Sequence, residues 1–78
     1  MLLAESSFGI HRVDAPGLVG QSLIEADVRA RTGATVVGIE TSSGIEVPAD
    51  PTRPISDGAT TIVAGTDAAI AEYIAAFE

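Results

Sequence analysis

The sequence predicts a two-layer α+β domain, with a mixed sheet and two helices in the order β-α-β-β-β-α. Three observations support this class: stretches of β-branched and alternating apolar residues, two stretches with helical spacing, and turn residues between them. The 78 residues suffice for one domain, 1–78, of which 1–6 are expected to be a linker or disordered start. Because 46% of the residues are apolar, the domain is expected to homodimerise through apolar surface that its small core leaves exposed.

The first predicted strand spans residues 7–14. Phe8 and Ile10 share one face, but Val13 breaks the alternation, which predicts a bulge or an early end of the strand. His11 is expected to face solvent, because the chain has one His and no Cys with which to complete a metal or catalytic site. The Ala-Pro-Gly sequence that follows predicts a turn.

The first helix has a clear beginning and end in the sequence. Ser22 and Glu25 match a capping box, in which each side chain accepts a hydrogen bond from the other residue's amide. Gly33 is a plausible residue to end the helix, since glycine readily adopts the left-handed conformation. Spacing of four residues with the acid first predicts two ion pairs along the helix. These are Glu25 with Arg29, and Asp27 with Arg31.

Residues 32–48 contain a predicted hairpin on which the rest of the chain is expected to pack. β-branched residues favour a strand at 35–39. The polar cluster at 41–44 predicts the turn, where Gly44 can adopt a positive φ and begin the return strand. Pro48 is expected to end the strand pairing, because it has no N–H to donate.

The C-terminal third is expected to hold a loop, a strand and a helix. Residues 49–58 form the loop, in which Ile55 is the apolar anchor, and residues 60–64 predict the strand. Thr66 is the predicted N-cap of the final helix. Apolar side chains at helical spacing are expected to pack this helix on the sheet: Ile70, Tyr73, Ile74 and Phe77.

The charge balance is acidic, with 11 Asp and Glu, 4 Arg and a net charge of −7. Such a surface repels phosphate, so nucleic acid is not expected as a partner. The apolar run at residues 1–4 is too short for a signal peptide. No stretch approaches the roughly 18–20 apolar residues that a membrane-spanning helix needs. We therefore expect a soluble, cytoplasmic domain without direct membrane insertion.

No set of side chains predicts catalysis, so the chain is not expected to be an enzyme. The hydroxyls of Ser22 and Thr66 are assigned to helix caps, and no histidine lies near them in the sequence. Acidic residues around the hairpin could converge on a divalent cation, although their spacing matches no calcium loop. These residues are Glu40, Glu46, Asp50 and Asp57. No metal site is predicted from them.

Several short motifs follow the predicted order of elements. They are Leu18-Val19-Gly20 with Ser22-Leu23, Arg31-Thr32-Gly33-Ala34, Val36-Val37-Gly38-Ile39, Gly44-Ile45 with Val47-Pro48, Asp57-Gly58, Ile62-Val63-Ala64-Gly65-Thr66, and Ile70. In this order and spacing they resemble the TrkA C-terminal domain, also called the RCK C-terminal domain. The resemblance covers nearly the whole chain.

The resemblance implies a homodimeric α/β domain that follows a Rossmann-like nucleotide-binding domain and regulates potassium channels or cation transporters. Some members of this family bind a cyclic dinucleotide between two subunits, where the hairpin lines the dimer groove. The implied ligand-binding residues here are Thr41, Ile45, Glu46, Val47 and Pro48. A cyclic dinucleotide or a cation is the implied ligand, and the implied partner is a membrane channel or transporter subunit or a Rossmann-like domain.

Three functions remain open from the sequence. The leading hypothesis is a ligand-sensing regulatory domain of a potassium or other monovalent-cation transport system, peripheral to the membrane through its partner. The second is a purely structural dimerisation module, because the positions where ligand-binding relatives carry Arg and Asn lie near Thr41 and at Val47, and neither polar group is present. The third is a divalent-metal-binding subunit, which rests only on the acidic residues around the hairpin.

Overall fold

The computed structural model describes residues 8–78, which form one four-stranded sheet with helices on one face. The expected linker 1–6 and the predicted first strand residue Ser7 lie outside the described residues. The strands are β1 (Phe8–Asp14), β2 (Thr35–Thr41), β3 (Gly44–Glu46) and β4 (Thr60–Thr66). The helices are α1 (Leu23–Ala26), α2 (Val28–Thr32) and α3 (Asp67–Phe77), and a 3-10 turn spans Pro16–Leu18. The α+β class and the predicted order of elements are confirmed.

The sheet is antiparallel rather than mixed. Its strand order is β1-β4-β2-β3, and every pair of neighbouring strands runs antiparallel. β1 and β2 do run in the same direction, joined by a connection that contains the helices, but β4 lies between them. Parallel pairing occurs among the described residues only as an isolated bridge between Val19 and Ile55. The prediction of a mixed sheet was wrong because it could not place β4 between the two strands.

The central strand is β4, and the hairpin expected to organise the chain lies at the sheet edge. β4 pairs along its whole length with β1 and also with β2, whereas β3 has three residues and pairs only with β2. Alternation along β4 buries Thr61 and Val63 beneath the helices and leaves Ile62 and Ala64 half-buried on the other face. β4 therefore joins β1 on one side of the sheet to β2 and β3 on the other.

The broken alternation near Val13 has a different cause from the one predicted. β1 pairs with β4 in continuous register from Phe8 to Asp14, without a bulge or an early end. Phe8 and Ile10 are exposed on the face without helices, whereas Val13 is buried on the helix-covered face. The irregularity lies instead in β2, where Val37 is the extra residue between two consecutive pairs with β4.

The first helix begins as predicted but is broken at Asp27. The Glu25 amide donates to the Ser22 hydroxyl (3.1 Å) and the Ser22 amide to the Glu25 carboxylate (2.9 Å), so the capping box is confirmed. Asp27 then adopts the left-handed conformation, with φ 53° and ψ 46°. The second segment ends at Gly33, whose φ is 81°.

The break at Asp27 explains why the predicted ion pairs of the helix do not form. A left-handed residue changes the chain direction, so residues four apart no longer stack on one helix face. Within residues 8–78, the ion pairs that form are Arg12–Glu40 and Arg53–Glu46. Arg31 instead donates to the Ala26 carbonyl oxygen (3.4 Å) and lies 4.9 Å from the centre of the Phe77 ring.

The core lies between the sheet and α3. Of the four apolar residues at helical spacing in α3, three are buried, and Ile74 remains 37% exposed at the rim. Thr66 caps the helix by accepting from the Ala69 amide at 3.1 Å, as predicted. Ile55 is buried as the loop anchor, and its amide donates to the Gln21 carbonyl oxygen at 2.9 Å. The predicted burial of Ile55 and the predicted Thr66 cap are therefore confirmed.

One buried polar chain crosses this core. The Thr61 hydroxyl donates to the Val13 carbonyl oxygen at 2.7 Å. Because this bond uses the only hydroxyl hydrogen of Thr61, the Tyr73 hydroxyl donates to Thr61, at 2.8 Å. Both side chains are fully buried, and this series of hydrogen bonds connects β1, β4 and α3.

Within residues 8–78, none of the helices has the length and apolar character needed to span a membrane.

Candidate functional site

The sheet face opposite the helices carries exposed apolar side chains, and we call it the open sheet face. It comprises Phe8, Ile10, Ile45 and Val47, which are 54–71% exposed, together with the half-buried Ile62 and Ala64. Ile45 belongs to this face because it pairs with Glu40, which in turn pairs with Thr60. Clusters of exposed apolar side chains of this kind are typical of protein–protein interfaces.

One ion pair crosses the open sheet face. The Arg12 guanidinium donates to the Glu40 carboxylate at 2.7 Å, over the central strand β4. Both side chains are partly exposed to solvent, so the pair itself contributes about 0–1 kcal/mol to stability. The pair also places one positive and one negative charge among apolar side chains. A partner surface that covered this face would need opposite charges at the corresponding positions.

A cleft of about 240 Å³ lies at the tip of the hairpin. Thr41, Ile45 and Glu46 line this cleft, so three of the five predicted ligand-binding residues meet there. Val47 lies on the open sheet face instead, where its Cγ2 atom would be 2.8 Å from a Cβ added to Gly38. Pro48 follows it at the surface, after a cis peptide bond. The predicted residues therefore divide between the cleft and the adjoining open sheet face.

Arg53 also lines the hairpin cleft, although it was not predicted as a site residue from the sequence. Its guanidinium lies 3.1 Å from Oε2 and 3.2 Å from Oε1 of Glu46. The pair offsets the negative charge of Glu46 and brings a cation beside the hairpin. The signal that the sequence does carry is a single arginine between Thr52 and Pro54, in a loop that two prolines restrict.

The loop that carries Arg53 is held by Asp50. The Asp50 carboxylate accepts hydrogen bonds from the Thr52 hydroxyl (2.7 Å) and the Thr52 amide (2.9 Å). These two bonds, with a smaller contribution from the Arg53 charge, lower the pKa of Asp50 below its ordinary value. The carboxylate is therefore ionised at neutral pH, and the turn that it caps positions Arg53 toward the hairpin.

The four acidic residues considered for a divalent cation do not converge. Glu40 contacts Arg12, Glu46 contacts Arg53, and Asp50 accepts from Thr52. Asp57 lies apart from them, in the turn before β4. Among residues 8–78 no three His, Cys, Asp or Glu side chains are placed to hold a metal ion.

Comparison with solved structures identifies similar domains. The RCK_C domain dimer of S. agalactiae BusR, solved in complex with c-di-AMP, is 25% identical, with a TM-score of 0.75, and the match covers 87% of this chain and 93% of that chain. The GsuK RCK domain is 27% identical with a TM-score of 0.75, over 88% of this chain. The present chain spans only 16% of the GsuK chain. The BusR match therefore covers nearly the whole of an isolated domain, whereas the GsuK match covers one domain of a longer protein.

A third structure corrects the expectation that nucleic acid is excluded as a partner. S. agalactiae BusR in complex with its busAB-promotor DNA is 26% identical, with a TM-score of 0.67, and the match covers 91% of this chain and 36% of that chain. A protein that contains a similar domain thus binds DNA. The inference from net charge was wrong because the charge of one domain constrains only its own surface, not the partners of a longer protein.

The sequence itself matches one family model. The model is that of the TrkA-C domain, and it matches residues 10–78, which include every strand and helix described above except the first two residues of β1. No curated protein matches the chain significantly in sequence. With the family match, the element order and the similarity to RCK_C structures in agreement, the chain belongs to the TrkA-C domain family.

Proposed function

We propose that this chain is a cytoplasmic, ligand-sensing regulatory domain of a potassium or other monovalent-cation transport system, and that it acts as a homodimer. The observation that carries this proposal is the position of the hairpin cleft beside the open sheet face. A surface that binds a second copy and a cleft that binds a ligand then share Ile45. Occupation of the cleft can therefore change the dimer, which is what a regulatory domain requires.

The dimer is supported by the apolar character of the open sheet face. Exposed Phe8, Ile10 and Val47 would be covered if two such faces packed together, which stabilises association by about 25 cal/mol per Å² of apolar surface. The Arg12–Glu40 pair gives each face both a positive and a negative charge. A two-fold axis can then place each charge near its opposite on the other copy. The similar RCK_C domain of BusR is a dimer.

The ligand that fits the hairpin cleft best is a cyclic dinucleotide. Its phosphates would meet the Arg53 guanidinium, and its bases would pack on Ile45 and Val47 at the border of the open sheet face. Thr41 and Glu46 offer side-chain oxygens at the same cleft. The similar BusR domain was solved with c-di-AMP.

A second candidate is a dimerisation module without a ligand. It is favoured by the Arg53–Glu46 pair, because two side chains that satisfy each other leave less charge for a phosphate. Thr41 and Val47, which carry no charge, are consistent with it. Under either function the chain performs no chemical step, and its partner is a channel or transporter subunit or a Rossmann-like domain in a longer protein.

Titration of the domain with c-di-AMP distinguishes the two candidates. We expect isothermal titration calorimetry to detect binding of one c-di-AMP per dimer. Arg53→Ala should weaken it by about tenfold or more, since a hydrogen bond between charged groups is worth about 1.5–3 kcal/mol. Arg29→Ala is the matched control, because it removes an arginine outside the hairpin cleft. Absence of binding, or equal weakening by both variants, would contradict the ligand-sensing function.

A further inference from the structure

A second cleft, of about 320 Å³, lies on the helix-covered side of the sheet, between the α1–α2 segment and the start of β2. It exists because β3 pairs only with Ile39–Thr41, so the first half of β2 has no strand on that side. This volume lies at the lower end of the range for small-molecule sites. The cleft contains none of the residues of the hairpin cleft or of the open sheet face.

The walls of this second cleft are apolar and fixed. Leu23, Ile24 and Val28 line it on the helical side, with Val36 and Pro51 on the other. The Ile24 amide donates to the Pro51 carbonyl oxygen at 3.1 Å, which ties the loop to the helix. Ile24 is nevertheless 63% exposed, so the cleft presents apolar surface to solvent.

Two residues of opposite charge line the second cleft. Asp27 and Arg29 both line it, yet within residues 8–78 neither takes part in an ion pair, and the Asp27 carboxylate caps no helix. In a continuous helix, residues two apart do not face the same side. Here Asp27 lies at the left-handed break between α1 and α2, and both it and Arg29 line one cleft. Local strain of this kind is retained where the surrounding structure uses it.

We propose that the second cleft binds a small zwitterion with an apolar body, of the class of aliphatic α-amino acids. Its ammonium group would contact Asp27 and its carboxylate Arg29, while the side chain would pack on Val28 and Val36. A mainly apolar lining that also includes one carboxylate residue and one guanidinium residue suits a zwitterion better than a singly charged ligand. The proposal does not depend on the proposed function, because it uses different residues.

Titration with L-leucine, followed by NMR of the methyl groups, tests this proposal on the 78-residue chain. We expect saturable shifts of the Leu23, Ile24 and Val28 methyl signals at ligand concentrations up to about 10 mM. The matched probes are 4-methylpentanoate, which lacks the ammonium group, and isopentylamine, which lacks the carboxylate. Each is expected to bind at least about tenfold more weakly, since each loses one charge-assisted contact.

Two variants of opposite charge provide the control. Asp27→Asn and Arg29→Gln change the net charge of the protein in opposite directions, and leucine carries no net charge, so a non-specific effect of net charge cannot weaken binding to both variants. We expect both to weaken leucine binding by about tenfold, and Glu72→Gln, an exposed carboxylate on α3, to leave it unchanged. Absence of leucine shifts at these methyl groups, or equal binding of leucine and the two singly charged analogues, would overturn the proposal.

Discussion

The Arg53 guanidinium lies 3.1 Å from the Glu46 carboxylate, and this contact joins the proline-containing loop to the hairpin. Both side chains line the same cleft, and both are largely exposed. The pair therefore contributes little to stability. For the proposed ligand the pair matters more, because a phosphate would compete with Glu46 for the same guanidinium.

This competition predicts that Glu46→Gln strengthens c-di-AMP binding. The substitution keeps the size of the side chain but removes the negative charge that occupies Arg53. Since exposed ion pairs are worth about 0.2–1 kcal/mol, affinity should increase by about 1.5- to 5-fold. Calorimetry at low and high salt measures the change. Weaker binding of the variant would show that Glu46 contacts the ligand favourably and does not compete with it for Arg53.

The buried polar chain predicts unequal effects of two isosteric substitutions. Thr61→Val leaves both the Tyr73 hydroxyl and the Val13 carbonyl oxygen without this partner, which should lower the free energy of unfolding by about 2 kcal/mol. Tyr73→Phe keeps the bond from Thr61 to Val13 and should cost only about 1 kcal/mol. Urea denaturation measures both values. A larger loss for Tyr73→Phe would contradict the assigned hydrogen-bond directions.

Tyr73 also predicts a loss of stability at alkaline pH. Burial raises the pKa of Tyr73 above its ordinary value near 10, and the hydrogen bond with Thr61 only partly opposes this. As pH rises, the unfolded chain therefore loses the phenolic proton before the folded chain does. The stability that protonated Tyr73 contributes to the folded state is complete below about pH 10 and is lost as pH rises through the folded pKa. Absorbance at alkaline pH reports this residue alone, because the chain has one tyrosine. Titration of the folded protein at the ordinary pKa would contradict the prediction.

The left-handed residue of the first helix predicts a stability difference between two small substitutions. Asp27→Gly removes the steric cost of φ 53°, whereas Asp27→Ala retains it. The glycine variant should be about 1 kcal/mol more stable than the alanine variant, the reverse of their order in a regular helix. Thermal or urea unfolding of the two variants gives the value. If the two variants were equally stable, or if the alanine variant were the more stable as in a regular helix, the helix would be continuous through residue 27.

Local sequence signals predicted the parts of this fold that depend on neighbouring residues. The Ser22–Glu25 capping box, the Thr66 cap and the positive φ of Gly44 each follow from residues a few positions apart. The antiparallel sheet could not be predicted in this way, since it depends on the insertion of β4 between β1 and β2. Periodicity and turn residues predicted the order of elements, and neither they nor the family resemblance supplied this pairing.

The same distinction applies to the candidate sites. Thr41, Ile45 and Glu46 meet at the hairpin cleft because they are close in the chain. Arg53 reaches the same cleft because the loop, held by Asp50 and Thr52, folds back toward the hairpin. The periodicity of the sequence does not predict the path of a loop. The break at Asp27 was also missed, because the sequence there favours a continuous helix with two ion pairs.

The association state of the domain, measured by sedimentation equilibrium, tests the proposed regulatory dimer most directly. We predict a dimer at about 10 μM and above, and a monomer for Ile10→Asp, which places a charge in the open sheet face. Ile24→Asp is the control, since Ile24 is exposed to nearly the same degree (63% against 65%) but lies outside that face. A monomeric parent domain, or an Ile10→Asp variant that stays folded and dimeric, would contradict the claim that the open sheet face joins two copies.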